Sequence, residues 1–399
     1  MRIVDVNELY SPTGGGVRTY IDRKIPIMAA LGHEQIVVAA GQEDRIDERA
    51  GGRIIYVKAP RLPFDRNYGM FLDAAPIHRL LDELQPDVVE NCSPWRSAKI
   101  VGEWQGPALK AWFLHNDNLE VYPKRWLAPV ASPARIERWF DWYNRYLSRR
   151  FALYDTIVAN GPVLTKRYRA RGLRIDATMP LGIEPGFFSP ELRDPKVRAG
   201  MLAQCDLPED AHLLIALGRH HPEKEWPTVI NAVQRAGAKL PVGLMILGQG
   251  PDTRALQRHV RDSPHIRLFK PVYDRRQLAT LMASADAFIH GAATETFGLV
   301  AAEALASGLP MITPDIGGAF ELARPPFSEI YRAGDAYDAA KAIVRLLARD
   351  QTVLHRAARL AAAQVRSDRD HAADLAAHYR ACIEAKQGGI TPAELARTA

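Results

Sequence analysis

Two blocks of alternating strand and helix patterns run along this chain, and one segment rich in proline and glycine separates them. Short β-branched runs indicate the strands, and apolar residues at helical spacing indicate the helices between them. In the first block the predicted strands are 3–6, 35–39, 54–57, 87–89, 109–113 and 156–159, and the predicted helices are 17–31, 73–84, 133–151 and 162–170. Alternation of this kind is typical of a mostly parallel sheet with helices on both faces. The first block therefore predicts a doubly wound α/β domain.

The alternation stops at Pro180-Leu-Gly-Ile-Glu-Pro-Gly-Phe-Phe-Ser-Pro190, which has the composition of an interdomain connection. In the second block the predicted strands are 213–217, 242–247, 266–269, 287–289 and 310–313, and the predicted helices are 226–235, 253–261, 275–284 and 299–306. Three further helical patterns, at 336–347, 351–365 and 370–385, close the chain. Because 399 residues exceed the usual size of one domain, we predict two doubly wound Rossmann-like domains.

Composition narrows the classes of function. Hydrophobic residues make up 47% of the chain and charged residues 25%, which is ordinary for a folded soluble protein. The N-terminus lacks the apolar core of a signal peptide, and no run of about 18 uncharged apolar residues indicates a membrane span. Cys92, Cys205 and Cys382 have the spacing of neither a zinc site nor a disulfide framework. We therefore expect a cytoplasmic location and no bound metal. We also expect peripheral contact at the inner face of the cell membrane, because positive charge is concentrated in one segment of the first block.

Positive charge is concentrated in one part of the first block. Ten lysines and arginines lie between Arg135 and Arg174 against three acidic residues, which is a local net charge of +7. Trp139, Trp142 and Tyr146 interleave with them. A basic, aromatic helix fits an anionic membrane surface, although a solvated helix face and core packing explain the same residues. Nucleic acid is not an expected partner, because no helix-turn-helix, zinc-finger or RNA-binding pattern accompanies the patch.

Loops that follow strands are the candidate sites, because ligands bind open α/β sheets outside the carboxyl ends of the strands. After the first strand, residues 11–17 contain three consecutive glycines and open a helix, an arrangement that binds an anion or only forms a tight turn. After the first strand of the second block, Arg219 and Lys224 place two cations on one loop. Such a pair could neutralise a diphosphate without a metal, or could be two surface charges.

A pair of carboxylates, Glu295 and Glu303, flanks the start of a helix near Gly298. Two acceptors at different depths could hold hydroxyls of a sugar and of a ribose, while the first N–H groups of the helix face a phosphate. The same pair could also be the general acid and base of a hydrolase, or helix caps and surface residues.

The ordered set of motifs resembles that of the retaining glycosyltransferases of family four, over almost the whole chain. The motifs are the glycine-rich first loop, Leu114-His115-Asn116-Asp117, the connector at 181–190, the loop from Gly218 to Lys224, Gly248-Gln249-Gly250-Pro251, the element from Glu295 to Glu303, and Gly317-Gly318 with Glu321. Two positions differ from the family pattern. Glu225 stands where glycine usually follows the diphosphate lysine, and His290-Gly291 replaces a common Pro-Ser.

The resemblance implies a GT-B fold, in which two Rossmann-like domains face each other across a cleft. An acceptor-binding domain would cover 1–185 and a nucleotide-sugar-binding domain 186–368, while a helix at 369–387 crosses back to the first domain and 388–399 forms a tail. It also implies a retaining, metal-independent reaction, in which the leaving phosphate accepts the proton of the acceptor. The nucleotide-sugar is then a substrate, and no cofactor is expected.

The resemblance implies roles for individual residues. Arg219 and Lys224 would neutralise the donor diphosphate, Glu295 would hold hydroxyls of the transferred sugar, and His115 would lie beside the reacting anomeric centre. Further implied donor contacts are Gly15, Gly16, Gly250, Phe297, Gly298, Leu299, Val300 and Glu303. From position in the first domain alone, the candidate acceptor contacts are Arg18, Tyr20, Arg66, Tyr68, Trp95 and Asn116.

The function that follows is transfer of a hexose (glucose, mannose or glucuronic acid) from a UDP- or GDP-sugar to a lipid-linked or glycolipid acceptor. A soluble or polysaccharide acceptor stays open as an alternative. So does a sugar-nucleotide epimerase or a phosphorylase on the same scaffold, because a fold does not determine a function.

Overall fold

The computed structural model describes residues 1–10, 16–62, 68–128 and 130–389. The chain divides into two compact units, Met1–Leu181 together with Asp368–Ala399, and Gly182–Ser367. The chain passes from the first unit to the second four residues before the predicted boundary at 185/186. It passes back to the first unit one residue before the predicted boundary at 368/369. Among the described residues, no helix combines the length and the apolar composition needed to cross a bilayer.

The first unit is built on an eight-stranded sheet in the order β3-β4-β2-β1-β5-β6-β7-β8. The strands are β1 Arg2–Asn7, β2 Glu34–Gly41, β3 Arg45–Arg49, β4 Gly52–Lys58, β5 Val88–Asn91, β6 Leu109–Leu114, β7 Thr156–Ala159 and β8 Ala177–Thr178. All neighbours pair in parallel except β3, which pairs antiparallel with β4. The sequence did not predict β3, because its charged, exposed residues give an edge strand without a buried face.

The helices of the first unit are α1 Gly16–Ala30, α2 Ala75–Leu84, α3 Arg96–Glu103, α4 Arg125–Leu127, α5 Pro133–Trp139, α6 Asp141–Phe151 and α7 Pro162–Ala170. The single helix predicted at 133–151 is wrong, because Phe140 leaves helical geometry and separates α5 from α6. Asp141 restarts the helix with a carboxylate in its first turn, where the helix dipole favours negative charge. Buried side chains from the sheet and these helices, among them Val4 and Trp112, form the core.

The second unit is built on a six-stranded sheet in the order β11-β10-β9-β12-β13-β14, parallel throughout. The strands are β9 His212–Leu217, β10 Val242–Leu247, β11 Ile266–Phe269, β12 Ala287–Ile289, β13 Met311–Pro314 and β14 Ser328–Tyr331. The helices are α8 Pro195–Gln204, α9 Trp226–Gly237, α10 Thr253–His259, α11 Arg275–Ser284, α12 Leu299–Ala306, α13 Gly318–Leu322, α14 Ala336–Leu347 and α15 Gln351–Ala362. Aspartate side chains cap α8, α11, α14 and α15 through hydrogen bonds from the first backbone N–H groups.

The last helix, α16 (Asp368–Gln387), belongs to the first unit. It buries Tyr379 and Leu375 in that unit, and the hydroxyl of Tyr379 donates to Oε2 of Glu90. The same carboxylate accepts from Nζ of Lys24 at 2.7 Å, so that α1, β5 and α16 meet at one buried ion pair. Asp5 lies beside it, and burial, followed by repulsion from Glu90, raises the pKa of Asp5 to about 7.

Candidate active site

The strand order of the second unit reverses between β9 and β12, and ligands bind α/β sheets at such a switch point. The loop that contains Arg219 and Lys224 follows β9, and the loop that contains Glu295 follows β12. These two loops therefore leave adjacent strands at the same edge of the sheet, and their side chains meet there.

Lys224 and Glu295 form a partly buried ion pair between Nζ and Oε1, although 71 residues separate them in the chain. Burial, together with the charge of Arg219, lowers the pKa of Lys224 to about 8, although Glu223 opposes the shift. Arg219 donates to Oε1 of Glu223 at 2.9 Å, and its own side chain is 57% exposed. Of the two cations on this loop that are predicted to bind a diphosphate, Lys224 is buried and Arg219 is exposed.

Glu295 has a second neighbour, because Nε2 of His290 lies 2.9 Å from its Oε2. His290 is buried, and burial followed by the charge of Lys224 lowers its pKa to about 3. The imidazole is therefore neutral at any ordinary pH. Sequence reasoning did not assign His290 to the site; the available signal was its departure from the family pattern at the end of a predicted strand.

The two departures from the family pattern pack against each other. Glu225 adopts the left-handed conformation, with φ +51°, that glycine adopts without strain. A Cβ on Gly291 would lie 2.5 Å from the carbonyl oxygen of Lys224 and 3.3 Å from Cβ of Glu225. Gly291 is therefore required for the loop after β12 to approach the loop after β9 this closely.

Glycines also bring the turn after β10 onto the loop after β9. A Cβ on Gly248 would lie 1.9 Å from the carbonyl oxygen of Gly218, and one on Gly250 would lie 2.4 Å from that of His220. Gly250, a predicted donor contact, therefore packs its backbone against the loop after β9.

The start of α12 lies directly after the Glu295 loop. Gly298, with φ +81°, precedes the helix, and the backbone N–H of Gly318 donates to the carbonyl oxygen of Glu295 at 2.8 Å. The first N–H groups of a helix have no acceptor within it, so they are available to an anion. The side chains of Phe297, Leu299 and Val300 are partly buried against the core. Glu303 lies one turn further along α12 and is partly exposed.

In the first unit, His115 follows β6 and is buried against Tyr20 and Phe113, with ring centroids 5.1 and 4.9 Å away. Burial, followed by Lys24 and His371, lowers the pKa of His115 to about 3. The predicted catalytic histidine is therefore a neutral imidazole.

The candidate acceptor residues have different surroundings. Tyr20 is buried, and its hydroxyl pairs with Nε2 of His371 on α16 at 3.0 Å, so the structure gives this hydroxyl a partner inside the protein. Nε of Arg18 contacts Oδ2 of Asp22 at 3.2 Å. The rings of Tyr68 and Trp95 meet edge to face at 6.0 Å, and Asn116 is partly exposed. Gly16 is exposed at the start of α1, whereas Gly15 and Arg66 lie outside the described residues.

Comparison with known proteins gives the following matches. The description "Glycosyltransferase Family 4" matches residues 14–184, and "Glycosyl transferases group 1" matches residues 211–349. A GDP-mannose-dependent alpha-(1-6)-phosphatidylinositol dimannoside mannosyltransferase of Mycobacterium tuberculosis is 29% identical over 315 residues, which cover 78% of this chain and 79% of that protein. A GDP-mannose-dependent alpha-mannosyltransferase of Corynebacterium glutamicum is 25% identical over 331 residues, covering 81% of this chain and 74% of that protein. The structure of sucrose-phosphate synthase from Thermosynechococcus elongatus superposes with a TM-score of 0.75 at 17% identity, covering 96% of this chain and 100% of that one.

Proposed function

This chain belongs to the family 4 glycosyltransferases of GT-B fold and is a hexosyltransferase. On that basis, we propose that it transfers mannose from GDP-mannose to a glycolipid built on phosphatidylinositol. The two relatives whose names specify GDP-mannose support the donor, and the phosphatidylinositol dimannoside mannosyltransferase supports the acceptor. The observation that carries the proposal is the partly buried pairing of Lys224 with Glu295 at the switch point of the second unit.

Donor binding would exchange the partners of this pair. The diphosphate of a nucleotide-sugar competes with one carboxylate for the ammonium of Lys224, and hydroxyls of the sugar then replace the ammonium as donors to Glu295. Arg219 supplies a second cation, and its planar guanidinium suits a phosphate oxygen pair. The ligand-free pair thus keeps both groups positioned and neutralised before the donor arrives.

The proposed reaction retains configuration and uses no side-chain base. The bond between C1 of the sugar and the diphosphate oxygen breaks, and the leaving group keeps the electron pair. Lys224, Arg219 and the first N–H groups of α12 stabilise the negative charge that develops there. The acceptor oxygen bonds to C1 on the same face and passes its proton to the leaving phosphate oxygen.

A transfer assay tests this function. The purified protein is incubated with radiolabelled GDP-mannose, or with the UDP-linked hexoses, and with phosphatidylinositol mannosides or soluble inositol phosphate as acceptor. We expect label in the lipid phase with GDP-mannose, and a product with the α configuration of the donor by NMR. Label transferred only from a UDP-hexose, or only to the soluble acceptor, would contradict the proposed donor or acceptor. Hydrolysis or epimerisation without acceptor would favour the other enzyme classes.

The surface around α5 and α6 supports contact with an anionic membrane. Trp126, Trp139 and Trp142 are each more than half exposed, and Val130 between them is 69% exposed. A shallow pocket of about 370 Å³ on the face of α6 is lined by Trp142, Arg145, Tyr146, Arg149 and Arg150. Exposed indole rings beside guanidinium groups suit the interface between lipid headgroups and acyl chains.

Sedimentation with vesicles tests this contact. We expect the wild-type protein to sediment with vesicles that contain phosphatidylinositol and not with vesicles of phosphatidylcholine alone. The double variant Trp139→Ser/Trp142→Ser should lose most of this binding. Tyr273→Ser in the second unit, which removes an aromatic ring that is 80% exposed, is the matched control and should bind normally. Equal sedimentation with both kinds of vesicle would contradict an anionic membrane partner.

A further inference from the structure

His290 stands at the carboxyl end of β12 and is fixed there from several sides. Its backbone N–H donates to the carbonyl oxygen of Ile312 at 2.9 Å, and its own carbonyl oxygen accepts from the hydroxyl of Tyr331 at 2.6 Å. The imidazole stacks on Phe288 with ring centroids 5.8 Å apart and is 3% exposed. The ring therefore cannot turn toward solvent without breaking the packing at the end of the strand.

The two oxygens of Glu295 have different neighbours. Oε1 is paired with Nζ of Lys224, and Oε2 lies 2.9 Å from Nε2 of His290. A neutral imidazole carries one N–H, and only a nitrogen that bears hydrogen is stable at this distance from an anionic oxygen. The hydrogen of the neutral ring is therefore assigned to Nε2, where it faces Oε2, although in the ligand-free structure the two atoms are not aligned as a hydrogen bond.

We propose that His290 is a positioning residue whose Nε2–H binds Oε2 of Glu295 once the carboxylate turns into line with it, so that Lys224 and the donor sugar compete for Oε1 alone. This inference rests on the proposed role of Glu295 as the acceptor for sugar hydroxyls. When the diphosphate draws Lys224 away, the carboxylate would otherwise be free to follow the ammonium or to rotate. With Oε2 bound to Nε2 in that state, Oε1 stays directed toward the sugar.

The neutrality of His290 suits this role. A cationic partner would spread the carboxylate charge over two ion pairs and weaken Oε1 as an acceptor, whereas a neutral N–H orients Glu295 and leaves its charge for the sugar. His290 touches neither diphosphate nor sugar in this account. Its removal should therefore affect the chemical step more than nucleotide binding.

Kinetics of three variants test the proposal. His290→Leu removes the donor at similar volume, His290→Gln restores an N–H near the position of Nε2, and His259→Leu replaces an exposed histidine of the same unit. We expect His290→Leu to lower kcat by about 10- to 100-fold, with the Kd for GDP within about twofold of wild type because the diphosphate contacts remain. His290→Gln should recover most of the loss, and His259→Leu should match wild type. Equal losses in the leucine and glutamine variants, or a parallel loss of GDP affinity, would overturn the proposal.

The tautomer can be measured without any substrate. In wild-type protein labelled at histidine nitrogens, NMR should show His290 with its hydrogen on Nε2, and Glu295→Gln should shift that resonance. A hydrogen on Nδ1, or no response to Glu295→Gln, would refute the positioning contact whatever the donor is. This readout also covers the case in which His290→Leu fails to fold. If the tautomer is as expected while GDP-mannose proves not to be the donor, the proposed function fails and the contact stands.

Discussion

At the scale of single residues, Lys224 is the group whose environment bears most directly on the proposed function. A lysine on a surface stays protonated far above neutral pH, but burial lowers the pKa of this one to about 8. Its charge is thus incomplete under mildly alkaline conditions. Since the proposed role of Lys224 is to bind a diphosphate, that charge is the relevant property.

The first expectation is a pH profile. In the free enzyme kcat/KM should be level below the pKa of Lys224, about 8, and fall as pH rises through it, because a neutral amine cannot pair with the diphosphate. The fall in kcat should come at higher pH, since the bound diphosphate favours the protonated amine. Lys224→Arg should abolish the alkaline fall, because arginine stays charged, although at a lower plateau. A wild-type profile that stays flat to about pH 10 would contradict the assignment.

A second expectation concerns Glu225, whose left-handed backbone is strained for a residue with a side chain. Glu225→Gly should raise the free energy of unfolding by about 0.5–1 kcal/mol, since relief of strain exceeds the added flexibility of the unfolded chain. Glu225→Ala removes the same carboxylate but keeps the Cβ, and it should bring no gain. Chemical denaturation measures both variants. If the alanine variant gained as much free energy of unfolding as the glycine variant, the cause would be loss of the carboxylate charge and not relief of backbone strain.

Sequence reasoning reached the residues of this site but not their mutual contacts. The motif order predicted Arg219, Lys224 and Glu295 as ligand residues, which stays a prediction, yet nothing in their spacing indicated that Lys224 and Glu295 neutralise each other. That contact depends on β9 and β12 being neighbours in the sheet. The approach of His290 to Glu295 was likewise not predicted, because comparison with the family pattern showed only that histidine is unusual at this position.

At the scale of elements, backbone packing at glycines determines how closely the loops of the second unit approach. Gly248 meets the carbonyl oxygen of Gly218 at the end of β9, where no Cβ fits. The turn after β10 therefore supports the loop that carries Arg219 and Lys224.

We expect Gly248→Ala to lower the free energy of unfolding by about 2–3 kcal/mol, because a buried loop must move to admit one methyl group. Gly200→Ala is the matched control. Gly200 lies inside α8, and a Cβ there would meet no atom within 4 Å. It should raise the same free energy by about 0.5–1 kcal/mol through helix propensity. Urea unfolding compares the two variants, and an equal effect of both would contradict the packing account.

Elements with strong local signals were predicted to the residue, and elements that depend on tertiary context were not. The predicted helices 162–170, 275–284, 299–306 and 336–347 coincide with α7, α11, α12 and α14. Proline, aspartate or glycine marks the start of each of these helices. In contrast, α3, α8, α13, β8 and β14 were not predicted. They are short or lack a clear apolar period, so contacts with distant residues determine them.

At the scale of the whole molecule, the chain leaves the first unit after Leu181 and returns to it at Asp368. Fold class, parallel sheets and a returning last helix followed from the alternation and the family resemblance. The buried network that α16 completes, in which Tyr379 and Lys24 share the carboxylate of Glu90, did not. Three distant segments supply its members, and no local pattern connects them.

The most direct test of the account is a calorimetric titration of GDP and of UDP into the wild-type protein and into Lys224→Ala. We expect GDP to bind the wild type more tightly than UDP, and Lys224→Ala to weaken GDP binding by about 10- to 100-fold, as loss of a charge-assisted contact requires. Arg254→Ala, on α10, removes an arginine to which no donor role is assigned and should bind GDP as the wild type does. Tighter binding of UDP, or equal GDP affinity in wild type and Lys224→Ala, would contradict the central claim that this enzyme holds GDP-mannose through Lys224.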